Sequence, residues 1–207
     1  MNRFLLKSGE KIVFIGDSIT DCGRRKEFPP LGNGYVYIAY NLTVAKYPER
    51  NILWINKGIS GDTVQGLAER WSKDVIDEKP DWLSIYIGIN NATKDKLLNR
   101  TLESFEESYR EILDRARKET NAKIIMFEIF YVASEDLNKR NVDISPYNRI
   151  IRSLAEEYKA MLVPLDSAFK EAVNKRPTCQ WTMNDGVHPT SIGHTLIALK
   201  FLESIGW

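Results

Sequence analysis

The stretch Lys11-Ile-Val-Phe-Ile15, running straight into Gly16-Asp17-Ser18, decides the fold of this 207-residue chain. It is short, rich in β-branched residues and apolar without alternation, as expected of a parallel strand covered on both faces. Four later runs share the pattern: Asn51 to Ile55, Trp82 to Ile87, Lys123 to about Tyr131, and Met161 to Leu165. Between them lie helical spacings. Leu102, Phe105, Tyr109, Ile112 and Ala116 recur every three or four residues and make one apolar stripe. Ser145-Pro146 reads as a helix cap followed by proline at the first helical position, ahead of a face of Tyr147, Ile150, Ile151, Leu154 and Tyr158. Pro189 is expected to open a last helix carrying Ile192, Leu196, Leu199 and Leu202, with Gly206 ending it. Strand and helix in alternation imply a three-layer α/β/α sandwich around a parallel sheet of about five strands. No repeat or linker divides the chain, so one domain over residues 1–207 is expected.

Composition narrows the function classes. Hydrophobic residues make up 43% and charged residues 28%, ordinary for a globular protein. Lys plus Arg number 29 against 28 Asp plus Glu, and the longest basic run is Arg24-Arg25-Lys26. That balance gives no basic surface for nucleic acid, and no nucleic-acid partner is expected. No segment has the length of a membrane span, and the apolar Phe4–Leu6 stretch is too short for a signal peptide. Two cysteines, Cys22 and Cys179, are too few for a disulfide scaffold and suit reduced thiols. A cytoplasmic protein with no membrane partner is the expectation.

In a parallel sheet, ligands bind beyond the carboxyl ends of the strands, so the strand exits are where chemistry is sought. After the first strand, Gly16 permits a tight turn and Ser18 is either a nucleophile or a helix-capping serine. After the second, Gly58-Ile59-Ser60-Gly61-Asp62-Thr63 either exposes backbone N–H groups to a negative oxygen or is a capped turn into a helix over Val64 to Trp71. After the third, Gly88-Ile89-Asn90-Asn91 offers a neutral amide donor, or two asparagines in an ordinary turn. Asn184-Asp185-Gly186-Val187-His188-Pro189 holds one of only two histidines, with Asp185 three residues before it. A turn over Gly186 would bring that carboxylate to the ring and fix its tautomer. The other histidine, His194, falls inside the last helix and reads as structural.

Taken together, Gly16-Asp17-Ser18-Ile19, Gly61, Gly88-Ile89-Asn90 and Asp185-Gly186-Val187-His188-Pro189 resemble, in order, the four blocks of the GDSL family, also called SGNH hydrolases. The resemblance implies a flavodoxin-like three-layer sandwich and a serine esterase working through an acyl-enzyme. It assigns Ser18 as nucleophile, His188 as base and Asp185 as its orienting carboxylate. The oxyanion hole would be the N–H groups of Ser18 and Gly61 with the Asn90 amide. Neither metal nor organic cofactor is implied. Asn91 departs from the aspartate frequent at that place, which bears on how Asn90 is held. No Gly-x-Ser-x-Gly elbow occurs, so the α/β-hydrolase pattern fits less well.

Longer strings, Phe14 to Gly23, Asn56 to Gly61 and Lys79-Pro-Asp-Trp82, are similar to small intracellular acetylxylan esterases. They imply an acetylated oligosaccharide as substrate and a possible homo-oligomer. Arg24 to Gly34, Glu135 to Asp143 and Thr178 to Asn184 are the loops expected to select it. Trp181 is either a sugar-stacking platform or a packing residue, and Arg24 and Arg25 read as a solvated pair. The alternatives are a lysophospholipase or thioesterase on the same machinery, a non-catalytic carbohydrate-binding protein on the same fold, and a metal-dependent phosphoesterase using Asp17, Asp21, Asp62, Asp185 and His188.

Overall fold

The computed structural model describes residues 4–95, 97–133 and 142–207. The five apolar runs form one parallel sheet: β1 (Lys11–Gly16), β2 (Leu53–Asn56), β3 (Trp82–Tyr86), β4 (Lys123–Phe127) and β5 (Met161–Val163), in the order β2-β1-β3-β4-β5. Ile12 pairs with Trp54 on one side and Trp82 on the other, and Ile85 pairs with Met126. Among the described residues the α-helices are α1 (Ser18–Asp21), α2 (Tyr35–Lys46), α3 (Val64–Trp71), α4 (Ile89–Lys94), α5 (Leu102–Glu119), α6 (Ser145–Glu157), α7 (Leu165–Lys175) and α8 (Ser191–Ser204), with a π-helical turn, Ser72–Ile76, continuing α3. Helix α8 packs against α2 and α7, while α5 packs against α3 and α6, which gives the α/β/α sandwich. Aromatic rings fill the α8 side of the sheet: Phe14 stacks on Trp54 at 5.3 Å, and Phe201 meets both Phe14 and Phe127.

Strand order explains where the site lies. The chain goes from β1 outward to β2, then crosses back to pair β3 on the other flank of β1. Connections leaving β1 and β3 therefore diverge, and a crevice opens between them at the carboxyl end of the sheet. Ser18 follows β1 and Asn90 follows β3, so both stand at that crevice.

Several boundaries differ from the sequence expectation. β4 stops at Phe127, because Glu128 turns inward and its buried carboxylate takes hydrogen bonds from Arg152 and from the Asp166 N–H. β2 begins at Leu53, which is 54% exposed because β2 is an edge strand covered less than a central one. β5 ends before Pro164, which opens α7, a helix the sequence reading did not anticipate. Helix α6 starts on Ser145 itself, whose N–H is met by Asp143. Helix α8 starts after Thr190, whose hydroxyl accepts from the Gly193 N–H, so Pro189 stands outside it. Its buried face is only partly the expected one: Leu202 is buried and Leu196 packs against the core, but Gly193, His194, Ile197, Ala198 and Phe201 make most of the inward face and Ile192 is exposed. Among the described residues no helix is long and apolar enough to cross a membrane.

Candidate active site

Ser18 is the first residue of α1, where the chain leaves β1. Asp17 caps this short helix, its buried carboxyl accepting the Ile19 N–H at 3.0 Å. Cys22 ends it in the left-handed region, φ +42°. Gly16 is required for space rather than for its turn: a Cβ there would lie 2.3 Å from the Tyr86 carbonyl oxygen on β3. Close approach of the two strand ends thus fixes Ser18 beside the crevice.

The segment before α8 brings the base. Asp185 Oδ1 accepts both the Val187 and His188 N–H groups at 2.9 Å, folding the chain tightly between them. Its Oδ2 stands 2.6 Å from His188 Nδ1, and His188 Nε2 stands 2.8 Å from Ser18 Oγ. Burial pushes the Asp185 carboxyl up, but hydrogen bonds from the His188 ring and from the His188 and Val187 N–H groups outweigh it. The net effect holds Asp185 below the usual carboxylate range. An ionised Asp185 accepts from Nδ1, so the ring hydrogen sits there and Nε2 is free to accept from Ser18. An imidazole so held can take the hydroxyl proton and return it to a leaving group.

Gly61 and Asn90 approach from the other two strand exits. Gly61 has φ +84°, a conformation that other residues adopt only at a cost, and its carbonyl oxygen takes the Lys94 ammonium at 3.3 Å. The Asn90 amide donates to the Asp62 carbonyl at 2.9 Å, which aligns the side chain of α4 with the glycine loop. Asn91 is fully engaged behind it. Its Oδ1 accepts the Val64 N–H that starts α3, and its Nδ2 donates to Gln65 and to the buried Asp95. The amide at 91 thus has two jobs, acceptor and donor, of which a carboxylate does only the first.

Beside Ser18 lies a cleft of about 290 Å³ lined by Asp21, Cys22, Arg25, Lys26, Glu27 and Ser60 among others. Asp21 is nearly buried there and holds Arg25 and the Ser60 N–H, each at 3.0 Å. Arg24 is not a solvated partner of Arg25: it turns inward and donates to the Gly58 carbonyl at 2.8 Å. A larger cavity of about 750 Å³, walled by Phe28, Tyr37, Tyr40 and Trp54, contains none of Ser18, Asp185 and His188.

The structure joins Ser18, His188 and Asp185 in one run of hydrogen bonds, and it ties Asn90 to the glycine loop through the Asp62 carbonyl. The Trp181 indole is half-buried: it packs against the core and donates to the Arg176 carbonyl at 3.2 Å. His194 lies apart in α8, accepting the Tyr35 N–H at Nδ1, and burial depresses it to about 4. The acidic residues imagined as metal ligands are occupied separately: Asp17 in its cap, Asp21 on Arg25, Asp62 on Arg70. Among the described residues no three His, Cys, Asp or Glu side chains converge for a metal ion. Of the selecting loops, residues 135–141 lie outside the described residues. Sequence reasoning missed Asn56, whose amide ties the Thr20 and Leu31 carbonyls and accepts the Gly58 N–H. An asparagine closing an apolar strand run, two residues before a glycine, is its one signal.

Comparison with known proteins agrees with this geometry. The GDSL-like Lipase/Acylhydrolase family model matches residues 14–196. An acetylxylan esterase of Geobacillus stearothermophilus is 38% identical over 97% of this chain and 95% of its own. The crystal structure of that esterase, Axe2, superposes with a TM-score of 0.87 at 37% identity, covering 98% of this chain and 97% of the other. LAE5, described as an alpha/beta hydrolase enzyme from the metagenome of Lake Arreo, also reaches 0.87, at 29% identity over 99% and 98%. A more distant relative is thioesterase 1/protease 1/lysophospholipase L1 of Escherichia coli, 28% identical over 70% of this chain and 62% of that protein. The chain belongs to the GDSL-like lipase/acylhydrolase family of carboxylic ester hydrolases.

Proposed function

We propose that this protein removes acetyl groups from acetylated xylo-oligosaccharides or related sugars, with Ser18, His188 and Asp185 as its catalytic triad. The observation that carries the reading is the unbroken chain of hydrogen bonds at 2.8 and 2.6 Å from Ser18 through His188 to Asp185. Ser18 Oγ attacks the ester carbonyl while His188 Nε2 takes its proton. The oxygen that becomes negative is met by the Ser18 and Gly61 N–H groups and the Asn90 amide. His188 then gives the proton to the leaving sugar hydroxyl, and an acetyl-serine remains. Water, deprotonated by His188, releases acetate and restores Ser18. Every step uses groups of the chain itself and calls for no metal or organic cofactor.

Support for these roles comes also from Axe2, of which alanine variants of a serine, and of an aspartate and a histidine three residues apart, are described as catalytic mutants. The cleft beside Ser18 favours a sugar over a long acyl chain, because its lining is mostly charged and hydroxyl-bearing. Such groups suit a leaving group rich in hydroxyls and offer a lipid tail little apolar surface. The free thiols of Cys22 and Cys179 suit a reducing compartment, and the cytoplasm is the inferred location. A homo-oligomer remains part of the proposal on the strength of family resemblance alone.

The test is acetate release from acetylated xylo-oligosaccharides by wild type and Ser18→Ala, with an activated acetyl ester in parallel. Release by wild type alone supports triad and substrate together. Cleavage of only the activated ester by wild type retires the sugar and keeps the triad. Near-wild-type turnover by a folded Ser18→Ala protein retires the mechanism.

A further inference from the structure

We propose that Arg70 is a positioning residue for the oxyanion hole: its guanidinium sets the separation of the Ser18 and Gly61 N–H groups by tying the exit of β1 to the glycine loop. The inference rests on the ester-hydrolase reading above and assigns a role to a side chain one helix away from the reacting atoms.

Arg70 sits in the last turn of α3 with its side chain only 15% exposed. Four of its contacts are specific. Nη2 donates to the Gly16 carbonyl at 3.2 Å, two residues before Ser18. Nη1 donates to the Lys57 carbonyl at 2.7 Å, where the glycine loop leaves β2. Nε donates to Asp62 Oδ2 at 2.8 Å, one residue after Gly61. Nη1 also meets Asp74 Oδ2 at 2.6 Å, which anchors the guanidinium from behind. The Asp62 backbone carbonyl in turn receives the Asn90 amide. One rigid planar group is therefore bonded to both segments that supply backbone donors, and through Asp62 to the third donor.

The chemistry favours Arg for this task. A guanidinium presents its N–H groups in fixed directions, so binding several acceptors at once fixes their mutual distances. A lysine ammonium on a flexible stem satisfies charge without imposing that geometry. Charge balance alone does not explain the arrangement, because two of the four contacts are to uncharged carbonyl groups on the two loops.

The experiment uses full-length Arg70→Lys and Asp62→Asn. The second variant keeps an acceptor for the Thr63 N–H, which Asp62 Oδ1 now holds, and removes only the acceptor facing Arg70. A control variant, Glu78→Gln, loosens the neighbouring Glu78–Lys57 pair (2.7 Å) without touching Gly16 or Asp62. Hydrolysis of an activated acetyl ester gives kcat and KM, and methylboronic acid reports the tetrahedral state. In that adduct Ser18 Oγ bonds to boron, its proton passes to His188, and the boron becomes tetrahedral and negative.

A displacement of donors by about an ångström costs roughly 100-fold in rate. The expected result is a kcat roughly 10- to 100-fold lower in Arg70→Lys and Asp62→Asn, KM within threefold, and boronate affinity weakened by the same factor as kcat. Glu78→Gln is expected to lower the melting temperature and keep kcat within twofold. If the two variants only melt earlier, while kcat and boronate affinity of the folded protein stay within threefold of wild type, Arg70 is a structural ion-pair residue and the proposal fails. Should Arg70→Lys not fold, Asp62→Asn decides alone. An inert wild type overturns the ester-hydrolase reading and this inference with it, an outcome separate from active wild type with unaffected variants.

Discussion

Ser18, His188 and Asp185, the proposed triad, form a chain in which each hydrogen bond sets the direction of the next. Asp185 is the link whose charge matters most, because its Oδ2 accepts from Nδ1 while Oδ1 holds the turn. In Asp185→Asn the amide oxygen keeps the backbone N–H groups and the amide nitrogen faces Nδ1. The ring then carries its hydrogen on Nε2, facing Ser18, and no base remains. Turnover of an activated acetyl ester is expected to fall roughly 10³- to 10⁴-fold with KM changed less than threefold. A loss smaller than tenfold would show that Asp185 does not set the tautomer. These three residues were readable in the sequence because a chain with two histidines leaves little choice of base. Arg70 was not, because nothing in the order of residues shows a guanidinium reaching two loops 13 and 54 positions back.

At the scale of elements, the junction of α3 and α4 carries the next prediction. Asn91 reads three groups at once: the Val64 N–H, Gln65 and Asp95. Burial raises the Asp95 carboxyl, and the Asn91 amide and Tyr147 hydroxyl pull it back. Asn91→Asp sets a second carboxylate against Asp95, 2% exposed, where Arg100 offsets only part of the repulsion. Urea unfolding at pH 8 is expected to show a loss of roughly 2–4 kcal/mol, shrinking at pH 5 as the pair shares a proton. Adding Asp95→Asn to that variant is expected to restore most of the loss, since the acceptor and donor then change places. An Asn91→Asp protein as stable as wild type at both pH values would mean that the amide at 91 is not paired with Asp95. The departure from the usual aspartate is visible in the sequence, whereas its pairing with Asp95 depends on the turn of α4 that brings the two side chains together. The strands were readable as apolar runs, and α5 as a stripe. Helix α8 is legible in the sequence, but only part of its inward face is: Leu196 and Leu202 turn inward and Ile192 does not. Leucine and isoleucine occur all round it, so periodicity does not pick a face; the buried contacts of His194 and Phe201 do.

Across the whole molecule, two buried groups under the site act on stability with opposite sign. Burial drives the Asp17 carboxyl up to about 7 from 3.8, the Ile19 N–H and His188 only partly opposing it. Burial drives His194 down to about 4 from 6.5, since its ring is packed from α8 against Tyr35 and Cys22, and His188 adds to the effect. Between about pH 4 and 6.5 the folded chain keeps a proton on Asp17 that the unfolded chain has lost. Over the same range the unfolded chain carries a proton on His194 that the folded chain refuses. The first makes stability fall as pH rises, the second makes it rise, and the two slopes cancel. Above 6.5 only Asp17 still titrates, and its contribution is lost as pH passes 7. Removing one group uncovers the other. Asp17→Asn is expected to lose roughly 3 kcal/mol of stability between pH 6.5 and 4, the His194 slope alone. His194→Gln is expected to gain a similar amount over that range, because the Asp17 slope is then unopposed. Urea midpoints at half-unit pH intervals read both. Parallel curves for wild type and the two variants would mean that neither side chain is desolvated enough to couple protons to folding. The crossing of opposite slopes about the wild-type curve is the pattern that two desolvated groups give when burial raises one and lowers the other.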